Sequence, residues 1–435
     1  MKIVLIGTGY VGLVSGACFA ELGFDVTCVD KDLDKLRKLE NSILPFYEPG
    51  LSDYVKKNTQ TGRLRFTSIL DDTISAAEVI IIAVGTPCDS NTGRADLKEL
   101  YAALDLIAPF LDENKLVILK STVPIGTAKK VQDYLNIEVA SNPEFLREGS
   151  AIQDFMRPVR IVIGTESNVA RKTLRRLYQR FLSNHVPIIE TTQNTAEIIK
   201  YASNAFLGMK ISFINQIADL CENCNGDVRA VSQALGLDNR IGKEFLSPGP
   251  GFGGSCFTKD LQELKLCAEK FEAPQGIVSQ VLAYNNSRPL RMLEIIQAAF
   301  EGDFRNKTLA ILGLTFKANT DDLRDSPSMK IISLLSGLGL RIRVYDPKGM
   351  ESASKTLFNV VFAGDSYEAI KDSDGLVILT EWQEFKSLNL ERVKRLLKAP
   401  LIVDLRNIFS LEDMKAKGFT YYSLGHSPVN GRRYA

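Results

Sequence analysis

The sequence predicts an α/β protein: two Rossmann-like, doubly wound domains joined by a central helical region with one long helix. Three observations lead there. Apolar runs of strand length alternate with amphipathic stretches in the first and last thirds of the chain. The glycine pattern Gly7-Thr8-Gly9-Tyr10-Val11-Gly12 follows the first of these runs. The middle of the chain is a long helical pattern, 194–223, with a single glycine and no proline.

In the first third the strands are expected at KIVLIG (2–7), DVTCVD (25–30), EVIIIAVG (78–85), KLVILKS (115–121), IEVAS (137–141) and RIVIGT (160–165). Helical stretches at 10–22, 96–111 and 126–135 separate them. Continuous apolar runs suit parallel strands buried on both faces. The pattern 194–223 exceeds a typical globular helix, and its apolar positions outnumber what one buried face needs, so a homodimer is expected to form around it. A further helical region is expected at about 261–300. The last third returns to strands, TLAILGL (308–314), RIRVYDP (341–347), GLVILTE (375–381) and LIVDLRN (401–407). It echoes the first third down to a strand ending in Asp346 but lacks the glycine fingerprint, so a shared fold does not imply a shared ligand. Domain limits follow at 1–193, 194–300 and 301–435.

The chain has 435 residues, too many for one ordinary core. Its 53 Lys and Arg balance 52 Asp and Glu, so neither nucleic acid nor a membrane surface is expected as a partner. Any anionic ligand must be met by local cations. Seven scattered cysteines form no disulfide framework and suit a reducing, cytoplasmic setting. The first residues lack a secretory pattern, and no apolar run reaches membrane-spanning length. Cys221 and Cys224 form a CxxC inside a helical pattern with no second pair or nearby histidine, so no metal site is expected.

In the fingerprint, Gly7 permits a tight turn, Gly9 lets backbone approach a pyrophosphate, and Gly12 lets helix and strand pack closely. Amides opening the helix at Tyr10 and Val11 would meet the phosphates. The second strand closes at Asp30, where a carboxylate bonds ribose hydroxyls and repels a 2′-phosphate. That favours NAD, although Lys31 and Lys35 leave NADP open on charge alone; Lys35 joins the candidate cofactor contacts. Two later strand ends, Val84–Pro87 and Ser121–Thr127, add Thr86 and Thr122; turn punctuation would account for the same residues without a ligand.

The loop GFGGSCFTKD (251–260) raises a different chemistry. Gly251, Gly253 and Gly254 leave room around Cys256 that a buried core thiol would not need. Lys259, or a helix starting near Thr258, would favour the thiolate, and Asp260 adds a carboxylate. The residues alone allow either a nucleophile or a plain glycine-rich turn. A nucleophilic cysteine beside a dinucleotide cofactor points to oxidation at the aldehyde level: the thiolate adds, the thiohemiacetal loses hydride to become a thioester, and water releases the acid.

That loop, with NPEFLREGSAI (142–152), KYASNAFLGMKISFINQ (200–216), STVPIGT (121–127), RIG (240–242), GLTFKANTDDLRDSP (313–327) and VDLRNIF (403–409), resembles the UDP-glucose 6-dehydrogenase family of nucleotide-sugar 6-dehydrogenases. The resemblance runs from residue 3 to about 407. It implies NAD-dependent, four-electron oxidation of UDP-glucose to UDP-glucuronate, in a homodimer. It makes Cys256 the nucleophile, with Lys200 and Asn204 at the reacting sugar. Asp260 acts with Lys200 and the hydrolytic water, Thr122 holds that water, and Glu144 is an acid/base group. Which group takes the first alcohol proton stays open between Glu144, Lys200 and a water activated by Asp260. Glu148 and Arg324 fall at cofactor contacts. Glu144, Phe145, Leu146 and Arg147, then Phe245, Leu246, Ser247, Gly249 and Gly253, fall at substrate contacts, as do Lys317 and Arg406. Arg240 matches an arginine that reaches the partner subunit's site. Thr258 stands where many members have proline, and Ser247 where some have lysine, which touches substrate fit. Sister enzymes acting on GDP-mannose or UDP-N-acetylmannosamine share the cysteine machinery. A non-catalytic nucleotide-sugar sensor is the rival from another class, against which the set Cys256, Lys200, Asn204 and Asp260 argues.

Overall fold

Runs of Val, Ile and Leu without polar alternation leave no face for water, so they are stable as sheet strands covered on both sides. The computed structural model, which describes residues 1–70, 72–89 and 91–432, shows this outcome twice. The chain divides into two units: Met1–Ser203 with Gln262–Pro274, and Asn204–Leu261 with Gln275–Ala435, whose last three residues lie outside those described.

The first unit holds β1 (Lys2–Ile6), β2 (Asp25–Val29), β3 (Leu64–Thr67), β4 (Val79–Ile82), β5 (Leu116–Leu119), β6 (Val139–Ser141), β7 (Ile161–Gly164) and β8 (Ile188–Thr191). They form one sheet in the order β3-β2-β1-β4-β5-β6-β7-β8. Pairing is parallel except between β6 and β7, which meet antiparallel at Ser141 and Gly164. Alternate residues feed two cores: Leu5, Cys28, Ile81 and Ile118 on one face, Val4, Ile6, Ile80 and Val117 on the other. Strand order reverses between β1 and β4, where an open α/β sheet takes its ligand.

The second unit holds β9 (Thr308–Leu312), β10 (Arg341–Tyr345), β11 (Val361–Phe362), β12 (Gly375–Ile378), β13 (Leu401–Asp404) and β14 (Thr420–Ser423). Its order, β11-β10-β9-β12-β13-β14, repeats the reversal, and all pairs are parallel. The long helix is continuous over Gln193–Cys224. The expected helical region after Cys256 is two helices, Phe257–Lys270 and Gly276–Ala299, separated at Glu272, which takes φ 54°. Among the described residues no helix is long and apolar enough to cross a membrane.

The glycine fingerprint is a packing requirement before it is a ligand site. Gly7 has φ +96°, and a Cβ on it would lie 2.9 Å from the Ala83 carbonyl oxygen. A Cβ on Gly12 would lie 1.9 Å from the Gly7 oxygen and 2.9 Å from Leu5 Cδ2. Gly12→Ala is therefore expected to cost about 3 kcal/mol of stability, or to prevent folding of the first unit. Calorimetry checks this, and an unchanged melting temperature would contradict the fit.

Candidate active site

At the switch point of the first unit, Gly9 is exposed and precedes the helix Tyr10–Glu21 without a side-chain cap. A Cβ built on Gly9 would meet nothing within 4 Å, so the approach to this helix N-terminus is open. That is the geometry a pyrophosphate requires. Asp30, at the end of β2, faces the same turn. Its Oδ2 accepts from the Thr8 amide at 2.8 Å, the Thr8 hydroxyl at 2.5 Å and Lys35 Nζ at 2.7 Å, and its Oδ1 accepts from the Asp32 amide at 3.0 Å. Burial works to raise the Asp30 pKa, but the bonds from Lys35, Thr8 and Asp32 prevail and bring it down to about 2. Lys35 is neutralised by this carboxylate, and Lys31 pairs with Glu99 at 2.7 Å. Both lysines that left NADP open are thus engaged with acids. The Tyr10 hydroxyl donates to the buried Glu48, while Val11 packs on the core.

Thr86 and Thr122 belong to adjacent strand ends that are tied together. Thr86 Oγ1 donates to the Thr122 carbonyl at 2.7 Å, and Ser121 Oγ donates to the Val84 carbonyl at 2.7 Å. Below Thr122 the helix Thr127–Leu135 starts at Gly126, which offers no side-chain cap. Glu197 of the long helix supplies one, accepting from the Gly126 amide at 2.6 Å and the Ala128 amide at 2.8 Å. Burial pushes Glu197 up to about 7 against these bonds.

Glu144 and Lys200 form a buried ion pair, Nζ to Oε1 3.0 Å, with side chains 6% and 4% exposed. Glu144 also accepts from the Leu146 amide, which folds the NPEFLRE turn back on itself. The Phe145 ring lies 3.8 Å from the Arg160 guanidinium carbon and 5.5 Å from Lys200 Nζ. Arg147 forks onto Asp154 at 2.7 Å and 3.0 Å, and Glu148 is half-buried. The same cluster contains Lys120, which the sequence reading passed over. Its Nζ donates to Asn142 Oδ1 at 3.2 Å, and the Tyr178 hydroxyl donates to the same oxygen at 2.6 Å. Burial lowers Lys120 to about 8, with Glu144 opposing and the Lys200 charge adding to the fall. A lysine closing an otherwise apolar strand run was the available signal.

In the second unit the loop leading to Cys256 crosses the carboxyl ends of β9 and β13. The Arg406 guanidinium donates to the Leu379 and Phe316 carbonyls, each at 2.8 Å, and pairs with Glu381 at 3.1 Å. It underlies Gly249, where a Cβ would come 3.1 Å from Nη1. The Gly254 amide donates to the Arg324 carbonyl at 2.9 Å, and a Cβ on Gly253 would lie 2.4 Å from the Asp325 carbonyl oxygen. Lys317 Nζ lies 5.3 Å from the Phe316 ring centroid. Leu246 is buried and its carbonyl accepts from Ser232 Oγ at 2.7 Å, Phe245 is half-buried, and Ser247 is exposed.

Cys256 is exposed at the N-terminus of the helix Phe257–Lys270, its carbonyl accepting the Asp260 amide at 2.8 Å. Asp260 is 1% exposed; its Oδ2 accepts from Asn204 Nδ2 at 2.6 Å and its Oδ1 from Lys259 Nζ at 2.7 Å. Thr258 donates to Asp325, which gives this departure from the family a structural role. Two expected site residues have side chains paired with neighbouring acids, although the Arg324 carbonyl belongs to the Cys256 loop contacts. Arg240 is exposed and forks onto Asp238, and the Arg324 side chain, also exposed, forks onto Asp322. Among the described residues no group of three His, Cys, Asp or Glu side chains could hold a metal.

Three family models match the chain. Residues 1–182 match the NAD-binding domain of the UDP-glucose/GDP-mannose dehydrogenase family, 194–287 its central domain and 310–411 its UDP-binding domain. A UDP-glucose 6-dehydrogenase of Rhizobium meliloti (strain 1021) is 48% identical, over 98% of this chain and 99% of its own. The chain belongs to the UDP-glucose/GDP-mannose dehydrogenase family. The cofactor expected from the Gly7–Gly12 turn is thereby shown to be NAD. A UDP-glucose dehydrogenase from Pyrobaculum islandicum shares the fold with a TM-score of 0.88 and 34% identity, over 98% of both chains. A UDP-D-ManNAc dehydrogenase from Pyrococcus horikoshii is similar with a TM-score of 0.86 and 27% identity, over 98% of this chain and 99% of that one. The family's fold is common to enzymes named for different sugars.

The Glu197 cap carries a pH signature. Its folded value, about 7, lies above the ordinary 4.5, so the folded state holds this proton more tightly. Glu197 therefore adds stability at low pH and withdraws it as pH rises through that window. Glu197→Gln is expected to flatten the melting temperature between pH 4.5 and 7 relative to wild type. Superimposable profiles would contradict the assignment.

Proposed function

We propose that the protein oxidises UDP-glucose to UDP-glucuronate, consuming two NAD⁺ and one water per sugar and releasing two NADH and three protons. The observation that carries this reading is Cys256. Its exposed thiol stands at a helix N-terminus, one turn from the buried Asp260, at the end of a loop backed by Arg406. A protein that only bound a nucleotide sugar would have no use for that constellation.

The residues present fit NAD: an open helix N-terminus at Gly9 for the pyrophosphate and an ionised Asp30 for ribose hydroxyls. When bound, NAD⁺ accepts a hydride from C6 of the sugar, first from the alcohol and again from the thiohemiacetal. The chain supplies the rest. In the first oxidation a base removes the C6 hydroxyl proton, for which Glu144, Lys200 and an Asp260-activated water are the candidates. The ammonium of Lys200 stabilises the negative charge that develops on that oxygen. The Cys256 thiolate, favoured by the helix N-terminus, then adds to the aldehyde carbon, and the carbonyl oxygen takes up a proton. Loss of that proton and of the second hydride gives the thioester. Asp260 and Thr122 orient water, which adds to the thioester carbon; the C–S bond breaks, and the thiolate leaves the carboxylate behind. Asn204, bonded to Asp260, holds the carboxylate in one rotamer for this step. Glu148 and Arg324 are assigned to the cofactor.

The UDP moiety is assigned to the second unit. Lys317 and Arg406 supply positive charge, and Phe245, Leu246, Ser247, Gly249 and Gly253 supply the loop over it. Glu144, Phe145, Leu146 and Arg147 complete the sugar contacts. Phe206, Phe213 and Leu220 project from the long helix at seven-residue intervals, 57%, 48% and 58% exposed. This apolar stripe supports a homodimer, with Arg240 reaching the partner subunit's site. A cytoplasmic setting is assigned on the odd number and scattered spacing of the seven cysteines. The three domains are placed at 1–193, 194–300 and 301–435.

A panel of UDP-glucose, UDP-N-acetylmannosamine and GDP-mannose, each mixed with enzyme and NAD, tests the reading through NADH absorbance. Turnover of UDP-glucose with two NADH per sugar is expected. Preference for another sugar would move the assignment to a sister activity, and no turnover with any of them would overturn it.

A further inference from the structure

The loop that ends at Cys256 is held from behind by side chains that take no part in the chemistry above. Asn285, on the helix Gly276–Ala299, is 6% exposed. Its Oδ1 accepts from the Phe252 amide at 2.9 Å and its Nδ2 donates to the Phe252 carbonyl at 3.1 Å. One carboxamide thus satisfies both peptide groups of one residue, as a neighbouring strand would. Three residues along, Arg288 is 1% exposed, donating to the Gly249 carbonyl at 3.3 Å and to Asp219 at 2.6 Å. Asn215, on the long helix, accepts from the Gly249 amide at 2.8 Å. Three buried polar side chains therefore grip Gly249 and Phe252.

The loop is shaped to this grip. Gly251, between the two gripped residues, has φ +120°, and a Cβ on it would lie 2.9 Å from Asn285 Oδ1. The helix is shaped to it as well. Pro289 removes the amide that would bond the Asn285 carbonyl, so the helix gives up a rung at the residue that holds the loop. Burying a guanidinium and two carboxamides is costly, the more so because Asn215 Nδ2 and Arg288 Nε are left without a hydrogen-bond partner, and core packing alone would be served by apolar residues. Only three residues separate Phe252 from Cys256. Two are the glycines packed on the Asp325 carbonyl and the Phe316 ring, so displacement at Phe252 has little slack in which to decay.

We propose that Asn285 is a positioning residue for the reaction: it fixes the Phe252 peptide, and through it the substrate-facing loop and the thiol of Cys256. The substrate part rests on the UDP-glucose reading; the thiol part does not. In Asn285→Asp, which keeps the size, a second oxygen faces the Phe252 carbonyl in place of the donor.

The experiment compares this variant with wild type in full-length enzyme by two readouts. One is the KM for UDP-glucose against kcat and against the Kd for NAD. The other is the rate of Cys256 alkylation by iodoacetamide, followed by peptide mass spectrometry with the exposed Cys88 and Cys224 as references. The expected result is a KM for UDP-glucose raised about tenfold with NAD affinity within about twofold, and a Cys256 alkylation rate changed several-fold with the reference cysteines unmoved. A variant that only melts earlier, with both readouts at wild-type values, overturns the proposal. So does an equal loss of NAD affinity, which would mark general damage. If wild type fails to oxidise UDP-glucose, the function reading has failed, and the alkylation rates alone decide this one. Should Asn285→Asp not fold, Gly251→Ala presses on the same contact from the loop side and is held to the same outcomes.

Discussion

One face of the helix Gln193–Cys224 has to satisfy a series of buried polar demands, and the loops of each unit depend on its doing so. Residues 197, 200, 204, 208 and 215 fall close to a single stripe at 3.6 residues per turn. Glu197 caps the helix below Thr122, Lys200 pairs with Glu144, Asn204 bonds Asp260 and Asn215 holds Gly249. Gly208 is the small position among them, where a Cβ would come 3.3 Å from Leu261. A buried pair such as Lys200–Glu144 adds little net stability, but losing one partner strands a charge at a cost of about 3–5 kcal/mol. Within each unit, the loops that carry proposed reacting groups are therefore tied to the part of this helix that the unit contains. The polar residues share the buried side of the helix with Tyr201, Ile214 and Ala218, while Phe206, Phe213 and Leu220 are exposed.

The two Rossmann-like units show why one topology serves two ligands. Both turn sharply after the first strand, at Gly7 and at Gly313, which has φ +102° and would place a Cβ 2.4 Å from Thr380. Both follow the second strand with an aspartate. Asp346, however, is 1% exposed and saturated by the amides of Leu314, Thr315, Lys348 and Gly349, the Thr315 hydroxyl and the Trp382 indole. It has become part of the fold. The second unit offers instead cations at its strand ends, Lys317 and Arg406, and a glycine-rich loop laid across them. That is chemistry for a diphosphate approached from outside the turn.

Much of this was legible in the sequence, and the failures share a cause. Unbroken apolar runs identified ten strands; among the described residues the four unread ones, β3, β8, β11 and β14, are all edge strands, and none of them is a continuous run of Val, Ile and Leu. The antiparallel joint of β6 and β7 left no mark, because burial on both faces imposes the same composition in either direction. The break at Glu272 was missed although Pro274 and Gly276 mark it in the sequence, because the apolar positions on both sides read as one run. Cys256, Lys200, Asn204, Asp260 and Glu144 could be singled out as candidates because their motifs are short and ordered. Lys120, Glu197, Asn285 and Arg288 were missed because they act through residues distant in the chain, and single polar residues in apolar stretches give no hint of their partners.

If the two oxidations are joined by a covalent bond to Cys256, a variant slow in hydrolysis should accumulate the thioester. Acid-quenched mass spectrometry of Asp260→Asn, mixed with UDP-glucose and NAD, tests it most directly, since that variant should slow hydrolysis more than oxidation. A hydroxylamine-sensitive acyl adduct of the sugar nucleotide is expected on the peptide containing Cys256 and should be absent from Cys256→Ser. NADH formed in stoichiometric amount while that peptide stays unmodified, or UDP-glucuronate made at a wild-type rate by Cys256→Ser, would contradict it.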